Sequence, residues 1–306
     1  MKRAQRNVAH HYDLGDPLFD LFLDSDRQYS CAYFAEPSDS LEQAQSNKKM
    51  LIARKLLLAP GQRVLDIGSG WGGLGLSLAS RYGADVTGIT LSREQLATSN
   101  ARAKSSGVDD HCRFLFRDYR EEPGHYDRIV SVGMFEHVGL RHYGTFFKHI
   151  AEMLNEDGVA LIHSIGMYAR PGPAPEWIKK YTFPGCYVPA LSQVMPAVQN
   201  AGLKVTDIEI WRLHYAETIR HWRQRFLANR SKALMLYDER FCRMWEFYLT
   251  CCEVSFRIED LMVFQIQLAH HQTAVPITRD YLMIDSARTE GFAASPAAAR
   301  ATVTYQ

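Results

Sequence analysis

The stretch "VLDIGSGWGG", residues 64–73, decides the fold of this chain. A short apolar run ends at Ile67, and glycines at 68, 70 and 73 follow in G-x-G-x-x-G spacing. The run reads as a buried strand. The glycines read as a tight turn opening the helical pattern "GGLGLSLASRYG", which Gly83 closes. Strand, glycine turn and helix in that order make a ligand-binding loop. Two features steer away from a nicotinamide cofactor. Asp66 stands two residues before Gly68, giving D-x-G-x-G, and a carboxylate there suits a cationic amino-acid end better than a pyrophosphate. The next strand pattern, "DVTGIT" (85–90), ends on Thr90 and offers no acid for ribose hydroxyls; Asp85 lies at its start, the wrong end of a parallel sheet. S-adenosylmethionine is the cofactor these residues predict.

Outward from the loop, strand and helix patterns alternate. "CRFLFRD" (112–118), "YDRIVSVGM" (126–134) and "GVALIHSIG" (158–166) read as strands, with "SREQLATSNARAKSSG" and "HYGTFFKHIAEMLNEDG" as helices between them. Ser92 and Gln95 have capping-box spacing, and Gly107 and Gly158 are expected to close helices. Asp118 ends the third strand, where an acid can accept a bond from an adenine amino group. The pattern predicts an α/β fold with a parallel sheet covered on both faces. Residues 1–60 read as helices and loops. Residues 167–260 open with "YARPGPAPEW" and continue with a strand-like "LKVTDIEIW" (203–211) and helices rich in Trp, Phe and Tyr; "LMVFQIQLA" (261–269) is a last strand. The aperiodic tail, 286–306, reads as disordered.

The fourth strand runs into Glu136 in "YDRIVSVGMFEHVG" (126–139), and a buried strand does not run into a carboxylate without a use for it. Taken alone, Glu136 also fits a helix-capping acid, His163 a core histidine and Tyr215 the edge of an amphipathic core. The 306 residues are 46% hydrophobic with net charge +1, a globular balance without a bulk field favouring nucleic acid. The basic opening has no apolar core of a signal peptide, and no stretch reaches the ~20 apolar residues of a membrane span. Six cysteines without C-x-x-C spacing predict reduced thiols in a cytosolic protein. His10–His11 lacks the acids or cysteines of a metal site, so no metal is expected.

Assembled, these motifs resemble the cyclopropane-fatty-acyl-phospholipid synthase family, which includes the mycolic acid cyclopropane synthases. The matching stretches are "NVAHHYDLGDPLFDLFLD", "QYSCAYF", "VLDIGSGWGG", "GITLSREQ", "SVGMFEHVG", "LIHSIG", "FPGCYVP", "HYAETIRHW" and "AVPITRDYL", spanning roughly residues 7–282. "QYSCAYF" and "FEHVG" carry the most specificity. The resemblance implies a Rossmann-like, seven-stranded methyltransferase sheet. Residues 1–60 would form a helical lid, 61–285 the methyltransferase domain, and 167–260 a helical insertion covering the acceptor site. It implies S-adenosylmethionine bound by Tyr29, Ser30, Asp66, Gly68, Gly70, Thr90, Gln95, Asp118 and Tyr119. It also implies a bicarbonate base held by Cys31, Glu136, His163, Ile165 and Tyr215. The activity implied is methyl transfer to a cis double bond of a phospholipid acyl chain, closing a cyclopropane ring. Left open are a methyl or methylene product on the same chain and a small-molecule amine N-methyltransferase. The partner implied is an unsaturated phospholipid at the inner face of the membrane, met by a cytoplasmic, peripheral protein; a homodimer stays open as its assembly. The basic, aromatic "IRHWRQRFLANRSK" (219–232) is the expected contact for anionic headgroups. Cys186 in "FPGCYVP", where glycine is common in the family, is a departure in the loop expected over the acceptor channel.

Overall fold

All seven apolar runs lie in one sheet. The computed structural model describes residues 15–169, 177 and 187–283. Strands β1 (Arg63–Ile67), β2 (Asp85–Thr90), β3 (Cys112–Phe116), β4 (Tyr126–Val132), β5 (Leu154–Met167), β6 (Lys204–Trp211) and β7 (Leu261–Ala269) stand in the order β3-β2-β1-β4-β5-β7-β6. Strands β1 to β5 pair in parallel, whereas β7 runs antiparallel between β5 and β6. The sheet is therefore mixed, a correction to the wholly parallel sheet expected from the alternation. A lone antiparallel strand inserted at one side leaves local periodicity unchanged, so only the pairing reveals it.

Helices α1 (Asp16–Phe19), α2 (Leu41–Lys55), α3 (Gly73–Tyr82), α4 (Arg93–Ser105), α5 (Tyr143–Met153), α6 (Leu191–Asn200), α7 (His214–Ala228), α8 (Arg230–Leu236) and α9 (Glu239–Ile258) complete the described chain. Successive residues of β1 face opposite ways. Val64 packs with Ile52 of α2, Leu74 and Leu78 of α3 and Ala103 of α4, whereas Leu65 and Ile67 pack with Phe146, Phe147 and Ile150 of α5 and Val194 of α6. With both faces covered, every β1 residue after Arg63 is buried. A third apolar cluster joins α1 and α2 to α7 and α9 through Phe19, Phe22, Trp222, Trp245 and Phe226, and rests on Trp211 and Val263 at the far side of the sheet. This is the helical cap.

Three local expectations are corrected. Helix α5 ends at Met153, not at Gly158. Gly158 lies inside β5, at the bulge where pairing jumps from Tyr126–Leu154 to Arg128–Val159, and a Cβ there would sit 2.7 Å from the Asn155 carbonyl oxygen. The Ser92 cap is half a capping box: Ser92 Oγ accepts the Gln95 backbone N–H (3.3 Å), but the Ser92 N–H goes to Thr90 Oγ1 (3.1 Å) and the Gln95 side chain accepts from the Thr90 hydroxyl (3.2 Å). The helices inserted between β6 and β7 occupy 214–258, while Leu191–Trp211 belongs to the sheet layers. The tail from 286 and Cys186 lie outside the described residues.

Chain order sets the site. From β1 the chain moves outward through β2 and β3, then returns to place β4 on the other side of β1. That reversal opens a crevice at the carboxyl ends of β1 and β4, where open α/β sheets bind ligands.

Candidate active site

A cavity of about 380 Å³ fills this crevice, within the range of small-molecule sites. All nine residues expected to hold S-adenosylmethionine line it: Tyr29, Ser30, Asp66, Gly68, Gly70, Thr90, Gln95, Asp118 and Tyr119. The glycines are there for backbone reasons. Gly68 has φ +84° and a Cβ on it would meet the Met134 side chain at 2.8 Å; Gly70 has φ +56° and a Cβ on it would meet no protein atom within 4 Å. Hence the loop is tight on one side and open on the other.

Asp66 is buried, burial pushes its carboxyl up to about 7 against the pull of Lys48, and Oδ2 has no hydrogen-bond donor. A buried carboxylate oxygen without a donor is costly unless a cationic group meets it. Asp118 is different. Arg120 takes its oxygens through the backbone N–H (3.1 Å), Nε (2.8 Å) and Nη2 (2.5 Å), and although burial raises its carboxyl, these bonds hold it below the usual range. A contact from Asp118 to adenine would need a lone pair that Arg120 leaves over. The fit to S-adenosylmethionine thus rests on the open glycine cradle, the orphaned Asp66 oxygen and the volume.

Cys31, Glu136, His163 and Ile165 gather just behind the same wall. Cys31 follows the lining pair Tyr29–Ser30, and Glu136 stands between the lining residues Met134 and His137. Glu136 occupies a short 3-10 turn (Phe135–His137) beyond β4. Its Oε1 accepts the Ile165 backbone N–H of β5 at 2.7 Å, and its Oε2 has no donor in hydrogen-bond geometry. Burial pushes the Glu136 carboxyl up to about 7, against the Ile165 N–H, which lowers it; the Ser164 hydroxyl donates to the Ile165 carbonyl (2.9 Å). The Ile165 N–H that the resemblance assigns to an anion is therefore shared with Glu136 here. His163 and Ile165 lie two apart on β5 and face one side of the sheet. His163 Nδ1 meets Gln265 Nε2 of β7 at 3.0 Å, and its ring lies edge-on to Trp211 at 5.0 Å.

Tyr215, at the start of α7, comes from the cap and lies against Phe256 and Trp222. Burial holds its phenol well above the usual range, reinforced by Tyr29, Cys31 and Glu136. Burial likewise holds the Cys31 thiol protonated and the His163 imidazole neutral. Among these five residues, Glu136 alone changes protonation near neutral pH.

Sequence reading missed the residues that hold the lid to this site. On α2, Gln45 and Lys48 lie one turn apart. Gln45 Nε2 donates to the carbonyls of Gln28 (3.2 Å) and Ser30 (3.0 Å), and Lys48 Nζ donates to Gln28 Oε1 (2.8 Å) and Ser30 Oγ (2.7 Å). The available signal was a Gln–x–x–Lys pair beside the apolar positions Ala44, Leu51 and Ile52; such a stripe usually faces solvent. The arginines of the basic helix are already paired at partly exposed sites: Arg220 with Glu217, Arg223 with Glu253, and Arg225 with Glu42 through Nη1 and Nη2 (2.7 Å each). Among the described residues no cluster could hold a metal ion and no helix is long and apolar enough to cross a membrane.

Comparison with known proteins agrees with this geometry. The family model "Mycolic acid cyclopropane synthetase" matches residues 1–266. The chain is 40% identical over 265 residues to the cyclopropane-fatty-acyl-phospholipid synthase of Escherichia coli K12, covering 87% of this chain and 68% of that protein. It is 40% identical over 256 residues to a probable fatty acid methyltransferase of Pseudomonas putida, covering 81% of this chain and 65% of that protein. It thus spans about two thirds of the length of these relatives. Mycolic acid cyclopropane synthase CmaA1, crystallised with SAH and CTAB, superposes with a TM-score of 0.82 at 34% identity, covering 86% of this chain and 97% of that one. The chain belongs to the mycolic acid cyclopropane synthetase family of S-adenosylmethionine-dependent methyltransferases.

Proposed function

We propose that the chain methylates the cis double bond of an unsaturated phospholipid acyl chain and closes a cyclopropane ring. One observation carries the reading: a buried carboxyl, Glu136, stands behind the cofactor cavity with Oε2 unpartnered, among groups that cannot take a proton at neutral pH. Bound in the cavity, S-adenosylmethionine supplies an electrophilic methyl group. The alkene carbons attack it, positive charge develops on the acyl chain, and a proton must leave before the ring closes. Tyr215, Cys31 and His163 hold their protons too tightly or bind one too weakly to serve, so Glu136 is the protein's acceptor.

A bicarbonate ion fits between these groups as the direct base. The protonated Tyr215 can donate to it, Ile165 can share its N–H, and the ion's own O–H can donate to Oε2 of ionised Glu136. The bound ion would supply a small oxyanion base, passing its own proton to Glu136 as it takes one from the acyl chain. The aromatic rings of Tyr29, Trp222 and Tyr215 lie near enough to Cys31 and Glu136 to stabilise positive charge on a nearby acyl chain. An amine nucleophile needs no bicarbonate site, so a site able to hold that ion favours the carbon acceptor.

The lipid surface is assigned to α8. Leu234, Met235 and Leu236 are exposed there, Met235 by 80%, next in sequence to Lys232 and Arg240, which form no ion pair among the described residues. Expression in a host lacking such an enzyme, followed by mass spectrometry of phospholipid acyl chains, tests the reading. Gain of one CH₂ with loss of the alkene supports ring closure; gain of CH₂ with the alkene retained points to a methylene product instead.

A further inference from the structure

Lys48 is a charge the reaction does not use, yet it is fully buried. Its ammonium donates to two neutral oxygens, Gln28 Oε1 and Ser30 Oγ, and forms no ion pair among the described residues. Burial pushes the amine down to about 8, partly offset by Asp24, so it still carries its charge at neutral pH. A buried ammonium without a carboxylate partner is unfavourable unless something else gains from it.

The chemistry of its second bond shows what gains. An ammonium can only donate. Ser30 Oγ therefore accepts from Lys48, and its own proton must point elsewhere. Gln45 and Lys48 hold the backbone and side chain of the 28–30 segment from one side. Ser30 and Lys48 both line the cavity. The Ser30 O–H is left as a donor into the cavity, polarised by the cation beside it. Asp66, also lining the cavity, is the neighbouring carboxylate that feels the Lys48 charge.

We propose that Lys48 is a positioning residue that, through Ser30, selects the carboxylate of the methyl donor's amino-acid end while Asp66 takes its ammonium. The two groups share one carbon in the ligand, so their receptors must be neighbours, as Ser30 and Asp66 are along this wall. The proposal deepens the cofactor assignment and rests on it. It makes Lys48 a determinant of specificity for a zwitterionic donor.

The test is calorimetric binding of two probes: S-adenosylhomocysteine, and its decarboxylated analogue, which keeps the adenosine, thioether and amine. Wild type should prefer the first by about tenfold or more, as expected for a hydrogen bond to a charged group. Lys48→Met should shrink that preference to within about threefold, leave affinity for the decarboxylated probe nearly unchanged, and add no further loss to Ser30→Ala. A purely structural Lys48 would weaken both probes alike, and that result overturns the proposal, as does a preference that survives in Lys48→Met. Should Lys48→Met not fold, Ser30→Ala decides alone, since a preference undiminished there breaks the relay. Failure of wild type to bind either probe would instead remove the cofactor reading beneath it.

Discussion

Glu136 and Asp66 are both buried carboxyls pushed up to about 7 by burial, and both keep one oxygen without a donor. Each binds its proton more tightly folded than unfolded. The stability this contributes is complete below the ordinary carboxyl range and is lost as pH rises through about 7. Chemical unfolding of the ligand-free protein should therefore show stability falling between about pH 4 and 7 and levelling off above. Asp66→Asn should flatten that fall and stabilise the protein at pH 8 by about 1–3 kcal/mol, the cost of a buried unpaired group. The same variant should lose most of its affinity for S-adenosylhomocysteine by calorimetry, because the amide cannot pair with an ammonium. Stability and binding moving in opposite directions mark a group kept for its ligand. Gly70→Val makes a complementary forecast: its Cβ meets open cavity, so binding should fail while the melting temperature drops modestly, φ +56° being strained for a β-branched residue.

At the scale of elements, the basic stretch expected to meet headgroups falls mostly on α7, and the proposed lipid contact is α8. Neutralising Arg225 should destabilise the protein by about 1 kcal/mol, since it bridges the cap to Glu42 of α2 at a half-exposed site. Vesicle binding per folded molecule should change little. Met235→Ser with Leu236→Ser should instead weaken sedimentation with anionic vesicles severalfold at unchanged melting temperature; unaltered sedimentation would remove α8 as the lipid contact. Charge and aromatic content are legible in a sequence, and so is the Glu217–Arg220 pair three residues apart on α7, but Glu253 and Glu42 come from distant places in the chain, and only packing brings them to Arg223 and Arg225. By contrast every strand was legible, because an apolar run buried on both faces has few other uses. The antiparallel β7 and the bulge at Gly158 were not, since both are choices of pairing, and pairing is non-local.

In the whole molecule, the sheet supplies Glu136, His163 and Ile165, and the cap supplies Cys31 and Tyr215. Motif matching named these five residues and the nine that line the cavity, because each sits in a stretch of specific wording such as "QYSCAYF" or "FEHVG". It did not find Gln45, Lys48 or Gln265, whose effect runs through another residue and whose types are common on surfaces. Everything proposed for the reaction turns on Glu136 serving the proton removed after methyl transfer begins. The direct measurement is turnover of Glu136→Gln against wild type, with vesicles of cis-unsaturated phospholipid, product read by mass spectrometry, and folded fraction and S-adenosylhomocysteine affinity measured on the same preparation. Glutamine still accepts the Ile165 N–H but cannot take a proton. Glu136→Gln should show near-normal affinity, a fall in cyclopropane formation of roughly 10²–10⁴, and a weak bicarbonate dependence where wild type shows a strong one. A wild-type rate per folded Glu136→Gln molecule would contradict that role.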